Sequence, residues 1–178
     1  MSDAYDVIND LAVAHGCEPT FGFRVRMYAA AASRHVWERL AWMCPVAGGR
    51  RFCYARMGIR IGRDVFLGSQ ILFDKAFPER IRIGDHAVIG DRCMIFAHAN
   101  LPSAGNELRG SYPTTIKDVL IDDHAWIMPG CIVNPGVTIG RGSVVTTGAI
   151  VTASVPPRSF VAATPGRVMP LPREMRDR

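Results

Sequence analysis

Three of the five histidines, His86, His98 and His124, occupy equivalent settings, each three residues after an aliphatic residue (Ile83, Ile95 and Ile121). Histidine titrates near neutral pH, so it is the side chain best suited to take a proton from a weak nucleophile and return it to a leaving group. Other chemistry has less support. No Ser-His-Asp or Cys-His pairing is recognisable by motif, and no His-x₄-His or CxxC spacing offers a zinc site. His86 and His124 read as structural residues of a turn. His98 differs in standing directly before a polar stretch, residues 100–115, that interrupts the surrounding pattern.

That pattern is a period of six. Ile121, Ile127, Val133, Ile139, Val145 and Val151 follow one another without a slip, and the residues four places after each are small or β-branched: Ala125, Cys131, Val137, Ser143, Ala149 and Val155. Ile83, Ile89 and Ile95 repeat the register, followed by Ala87, Cys93 and Ala99, and an earlier block reads Ile61, Leu67, Phe73. A helix needs apolar residues every three or four positions and a strand every two, so a strict six specifies a solenoid of short strands joined by tight corners. The aliphatic residues point inward, Cys93 and Cys131 fill core positions, and Gly62, Gly68, Gly84, Gly90 and Gly140 stand where positive φ or close backbone approach favours glycine.

Two segments leave the repeat: residues 74–82, containing Pro78, and the loop 100–115. His86 and His98, twelve apart, belong to different faces of an eighteen-residue coil. His124 follows His98 by 26 residues, so an excursion of 8 would stack the two and one of 14 would not. The chain divides into a helical N-terminal segment (1–56), a solenoid (57–156) and a proline-rich tail (157–178). Ser2 suits the cap of a short helix to about Gly16, and a second helix over Phe23–Met43 aligns Val25, Tyr28, Ala32, Val36, Leu40 and Met43. That helix is expected to pack on the solenoid end or a neighbouring subunit. Its alternative role is peripheral membrane contact through residues 23–43, with Trp37 and Trp42 as anchors.

With 178 residues, 48% of them hydrophobic, the chain can bury its own core. The net charge of +5 points to an anionic partner. Basic residues scattered without an aromatic platform argue against nucleic acid. Five cysteines, an odd number, indicate free thiols, and the N-terminus lacks a signal-peptide pattern; both lead to the expectation of a cytoplasmic protein.

The stretch Trp126-Ile127-Met128-Pro129-Gly130-Cys131, continuing through Asn134-Pro135-Gly136-Val137-Thr138-Ile139-Gly140, then Val145-Thr146-Thr147-Gly148 and Pro165-Gly166-Arg167-Val168, resembles the hexapeptide-repeat acyltransferases. The likeness is greatest to the sugar O-acetyltransferases, such as the maltose, galactoside and capsule or exopolysaccharide enzymes, and covers about residues 57–169. It implies an all-β solenoid, a left-handed parallel β-helix assembled as a homotrimer with active sites between subunits. It implies acetyl-CoA as donor, a saccharide hydroxyl as acceptor and no metal. It places the general base at His98, and the donor site along Trp126, Pro129, Thr147, Thr152 and Arg167. Ala153 and Ala163 stand where the family often has lysine and glycine, and an asparagine of the maltose and galactoside enzymes is missing near Gly68. Two other readings use the same repeat: a non-catalytic scaffold, and a metalloenzyme resembling the γ-carbonic anhydrases.

Overall fold

The computed structural model describes residues 20–99 and 114–162, residues 12, 16 and 18, and the backbone of 167–170. Apart from Ala12 and Gly16, the expected helix from Ser2 to Gly16 lies outside them, as do residues 100–113 of the loop.

Two-residue strands separated by four-residue corners carry the chain round by one side every six residues, and the period of six becomes a three-sided prism. The first coil holds β1 (Arg60–Ile61), β2 (Phe66–Leu67) and β3 (Leu72–Phe73). The second holds β4 (Ile81–Ile83), β5 (Val88–Ile89) and β6 (Met94–Ile95), and is followed by an antiparallel pair, β7 (His98–Ala99) and β8 (Thr115–Ile116). β9 (Val119–Ile121), β10 (Trp126–Ile127) and β11 (Ile132–Val133) form the third coil; β12 (Thr138–Ile139), β13 (Val144–Val145) and β14 (Ile150–Val151) form the fourth. Each coil stacks in parallel on the next: β1-β4-β9-β12 make the first face, β2-β5-β10-β13 the second, and β3-β6-β11-β14 the third.

Ile121, Ile127, Val133, Ile139 and Val145 are all fully buried, each burial being worth about 1.5–3 kcal/mol. The small residues of the repeat are buried with them, Cys93 and Cys131 included, except Ala99, which the β7–β8 pairing turns outward. A hydrogen bond donated to Cys131, together with burial, keeps the Cys93 thiol protonated.

The corners decide between the two requirements expected of their glycines. The glycines after the aliphatic positions are required by close approach alone: a Cβ on Gly84 would fall 2.6 Å from the backbone nitrogen of Asp123. The left-handed conformation comes two residues later, at Asp64, His86 and His124 on one corner and Gln70 and Arg92 on the next. The tail differs from expectation: β15 (Ser159–Ala162) continues the second face, and β16 (Arg167–Pro170) returns antiparallel to it.

Register measures both interruptions. Eighteen residues separate Ile127 from Val145, but 22 separate Phe73 from Ile95, and 38 separate Ile89 from Ile127. The two insertions are therefore four and twenty residues, and both leave at the corner joining the third face to the first. His124 accordingly stacks on His86, with ring centroids 5.0 Å apart, and not on His98.

The first coil presents edge strands, whose carbonyls need donors. The N-terminal helices supply them. In α1 (Phe21–Met43), which starts at a Thr20 cap, the Trp42 indole donates to the Ile71 carbonyl at 3.0 Å. In α2 (Ala47–Met57), Arg50 Nε donates to Leu67 O at 2.8 Å and the Tyr54 hydroxyl to Ile71 O at 2.9 Å. This requirement turns α1 over relative to the apolar-face expectation. Phe23, Glu38 and Ala41 are buried, while Val25, Tyr28, Val36, Leu40 and Met43 stay exposed. Trp37 and Trp42 pack against the core, so neither is available as a membrane anchor. No described helix is long and apolar enough to cross a membrane.

Candidate active site

The four-residue insertion after β3 begins with Asp74, whose side chain is fully buried. Its carboxylate is saturated by four donors. Oδ1 accepts from the backbone N–H of Ala76 (2.9 Å) and Phe77 (3.3 Å), which closes a tight turn. Oδ2 accepts from the N–H of Ala97 (2.9 Å) and meets His98 Nδ1 at 2.5 Å. Burial works to raise the Asp74 pKa, yet the bond to His98, the His98 charge and the backbone donors together hold it below the ordinary carboxylate range. Asp74 is therefore an ionised acceptor. A neutral His98 must then carry its proton on Nδ1, which leaves the Nε2 lone pair free to accept another.

Both neighbouring elements brace this pair. The Phe77 ring lies edge-on to the imidazole with centroids 5.5 Å apart, and the Lys117 N–H donates to Ala97 O at 2.9 Å across the hairpin base. Helix α1 clamps the turn from outside: Arg34 donates to the carbonyls of Lys75 and Ala76, and buried Glu38 holds the Lys75 ammonium at 3.0 Å. His98 itself remains 24% exposed. Sequence reasoning singled out His98 but not Asp74, the carboxylate it meets. The available signal was an acidic residue opening a register slip on the same corner, one coil earlier.

The expected donor-site residues fall on different parts of the prism. Pro129 and Thr147 meet in one groove on the second corner, together with Gln70 and Arg92. Trp126 lies on the second face between Val88 and Val144, its side chain about half exposed at 47%. Thr152 is exposed on the corner column that also carries His98, two coils further along. Arg167 has its backbone in β16, paired with Ala162; its side chain lies outside the described residues, as does Ala163. A single copy thus assembles Asp74 with His98 on one edge, and Pro129 with Thr147 on another.

Residues 118–153 match the family model described as bacterial transferase hexapeptide (six repeats). YvoF of Bacillus subtilis (strain 168), provisionally assigned as an acetyltransferase, is 31% identical over 141 residues, covering 79% of this chain and 77% of that protein. The chain belongs to the hexapeptide-repeat acyltransferase family. Solved structures share the fold of this hexapeptide acyltransferase. A Vibrio cholerae hexapeptide-repeat acetyltransferase complexed with acetyl-CoA aligns with a TM-score of 0.61 at 22% identity, over 94% of this chain and 97% of that one. A maltose O-acetyltransferase from Clostridium difficile aligns at 0.62 and 21% identity, over 80% and 86%. The prism is accordingly the left-handed parallel β-helix of the hexapeptide acyltransferases.

Proposed function

We propose that this acyltransferase moves an acetyl group from acetyl-CoA to a hydroxyl of a saccharide, with His98 as general base. The observation that carries this reading is the Asp74–His98 pair, whose geometry leaves Nε2 basic and partly exposed at the foot of the hairpin. The acceptor O–H gives its proton to Nε2 while its oxygen attacks the thioester carbonyl carbon. The C–S bond then breaks, and the departing thiolate recovers the proton from the imidazolium, giving the acetyl ester and free CoA. The transfer is direct, without an acyl-enzyme. Trp126, Pro129, Thr147, Thr152 and Arg167 would line the donor, with the guanidinium meeting its phosphates. Saccharide acceptors accord with the maltose enzyme among the fold relatives.

The same reading requires a second copy, because the two groups of site residues lie on different edges of one prism. Two faces supply the means. The outward row of the second face is Phe66, Val88, Trp126, Val144 and Phe160; that of the third is Leu72, Met94, Ile132 and Ile150. A closed ring of three needs two different patches on each copy that fit one another, and two adjoining apolar faces suit a homotrimer. We place this trimer in the cytoplasm.

The test is acetyl-CoA turnover, followed by thiol release, across a panel of sugars, with the particle mass from sedimentation. Acceptor-dependent release by a species of three chains is expected. Absence of CoA binding would leave a scaffold instead, and a monomeric active enzyme would remove the intersubunit site.

A further inference from the structure

A cleft of about 460 Å³ has walls that include Phe77 and Ile116. Phe77 is the residue packed against the His98 ring, and Ile116 is paired with His98 across β7–β8. The rest of the lining is charged: Arg60, Arg80, Arg82, Glu79 and Asp118. Asp118 takes Arg80 at 3.1 Å, and Glu79 faces Arg34 at 3.7 Å. Arg60 and Arg82 have no ion-pair partner among the described residues.

Their placement is unfavourable unless something binds there. Arg60 and Arg82 are direct register partners on the neighbouring parallel strands β1 and β4, both exposed. Like charges opposite one another across a ladder destabilise the sheet. The corresponding outward positions on the other two faces carry only apolar side chains. The two guanidiniums therefore stand as a doublet whose donors fit a phosphate or carboxylate.

Position along the prism decides which substrate carries that anion. The doublet lies in coils one and two, His98 follows coil two, and the proposed donor residues occupy coils three and four and the tail. Donor and doublet approach His98 from opposite ends. We propose that Arg60 and Arg82 form a subsite for a phosphate or carboxylate group on the acceptor that His98 deprotonates. The acceptor is thus an acidic, phosphorylated or nucleotide-linked saccharide. This rests on the acetyl-transfer reading for its chemistry but not for its binding, so the two can fail separately.

The experiment compares the full-length protein with its Arg60→Gln/Arg82→Gln variant. Matched acceptors are supplied as neutral and anionic partners: glucose with glucose 1-phosphate and glucuronate, and galactose with galactose 1-phosphate and UDP-galactose. The wild type should favour the anionic members, and the double variant should lose about tenfold or more in kcat/KM for them alone. KM for acetyl-CoA should stay within twofold. Pyrophosphate titrated by calorimetry is the second arm: saturable binding that vanishes in the variant and weakens with added salt supports the subsite without any turnover. Equal losses for neutral and anionic acceptors, a change confined to the acetyl-CoA KM, or pyrophosphate binding indistinguishable between the two proteins would overturn it. Anion binding lost in the variant, alongside unaltered turnover in His98→Ala, would instead retain the subsite and remove the base.

Discussion

Replacing His98 by alanine is expected to lower kcat on the order of 10²–10⁴-fold, the usual contribution of a positioned general base. KM for acetyl-CoA should change little, because the role proposed for the imidazole is toward the acceptor oxygen. Alanine also takes one donor from a buried carboxylate, so part of any loss could come through folding. His98→Asn separates the two effects: its amide can still donate to Asp74 but cannot take a proton. Both variants should be equally inactive, with the asparagine variant melting closer to wild type. An asparagine variant retaining more than about a tenth of wild-type kcat would remove His98 from the chemistry.

Asp74 carries the second large effect, because the same carboxylate orders the turn and the imidazole. In Asp74→Asn the amide oxygen can serve Ala76 and Phe77, but its NH₂ then faces the Ala97 N–H and His98 Nδ1, where an acceptor is required. His98 would have to accept at Nδ1 and carry its proton on Nε2, which disables the base. A fall of about a hundredfold or more in kcat is expected, with the acetyl-CoA KM unchanged. The orphaned Ala97 N–H should cost about 1–3 kcal/mol, or roughly 2–4 °C in Tm for each kcal/mol in a chain of this length. Asp74→Ala, which strands three backbone donors, should be less stable still. Acid offers an independent reading. The folded carboxyl titrates below its ordinary value, so its stabilising contribution is complete above that value and is lost as pH falls through the depressed one. Wild type should therefore lose its stability advantage over Asp74→Asn as the pH drops below the ordinary carboxylate range. A constant difference in melting temperature down to pH 3 would contradict this role.

The period of six was sufficient to read the prism from the sequence, because inward burial repeats with the backbone geometry and nothing distant can alter it. His98 was legible because it precedes an interruption of that period. Asp74 was not, since it reaches His98 only when Phe73 stacks on Ile95, a pairing that depends on the first insertion being four residues. Helix α1 failed for a different reason. Hydrophobic pattern assigns a buried side on the assumption that the neighbouring surface is apolar. Here the neighbours are the open end of the first coil and the turn after β3, both presenting carbonyls, and donors such as Trp42 and Arg34 face them in place of Val25 or Leu40. The doublet of Arg60 and Arg82 needed the same register information, being 22 residues apart.

Both insertions leave the prism at one corner, and neither shifts the inward ladder of the coils around it. Lengthening such an excursion costs only its closure entropy, about 0.6 kcal/mol for each doubling. The region proposed to face the acceptor can therefore be rewritten while the prism of aliphatic side chains is inherited unchanged. Such a molecule is modular at a single hinge point of its winding, and a foreign segment spliced between Ala99 and Thr115 should redirect which hydroxyl is esterified while the melting temperature barely moves.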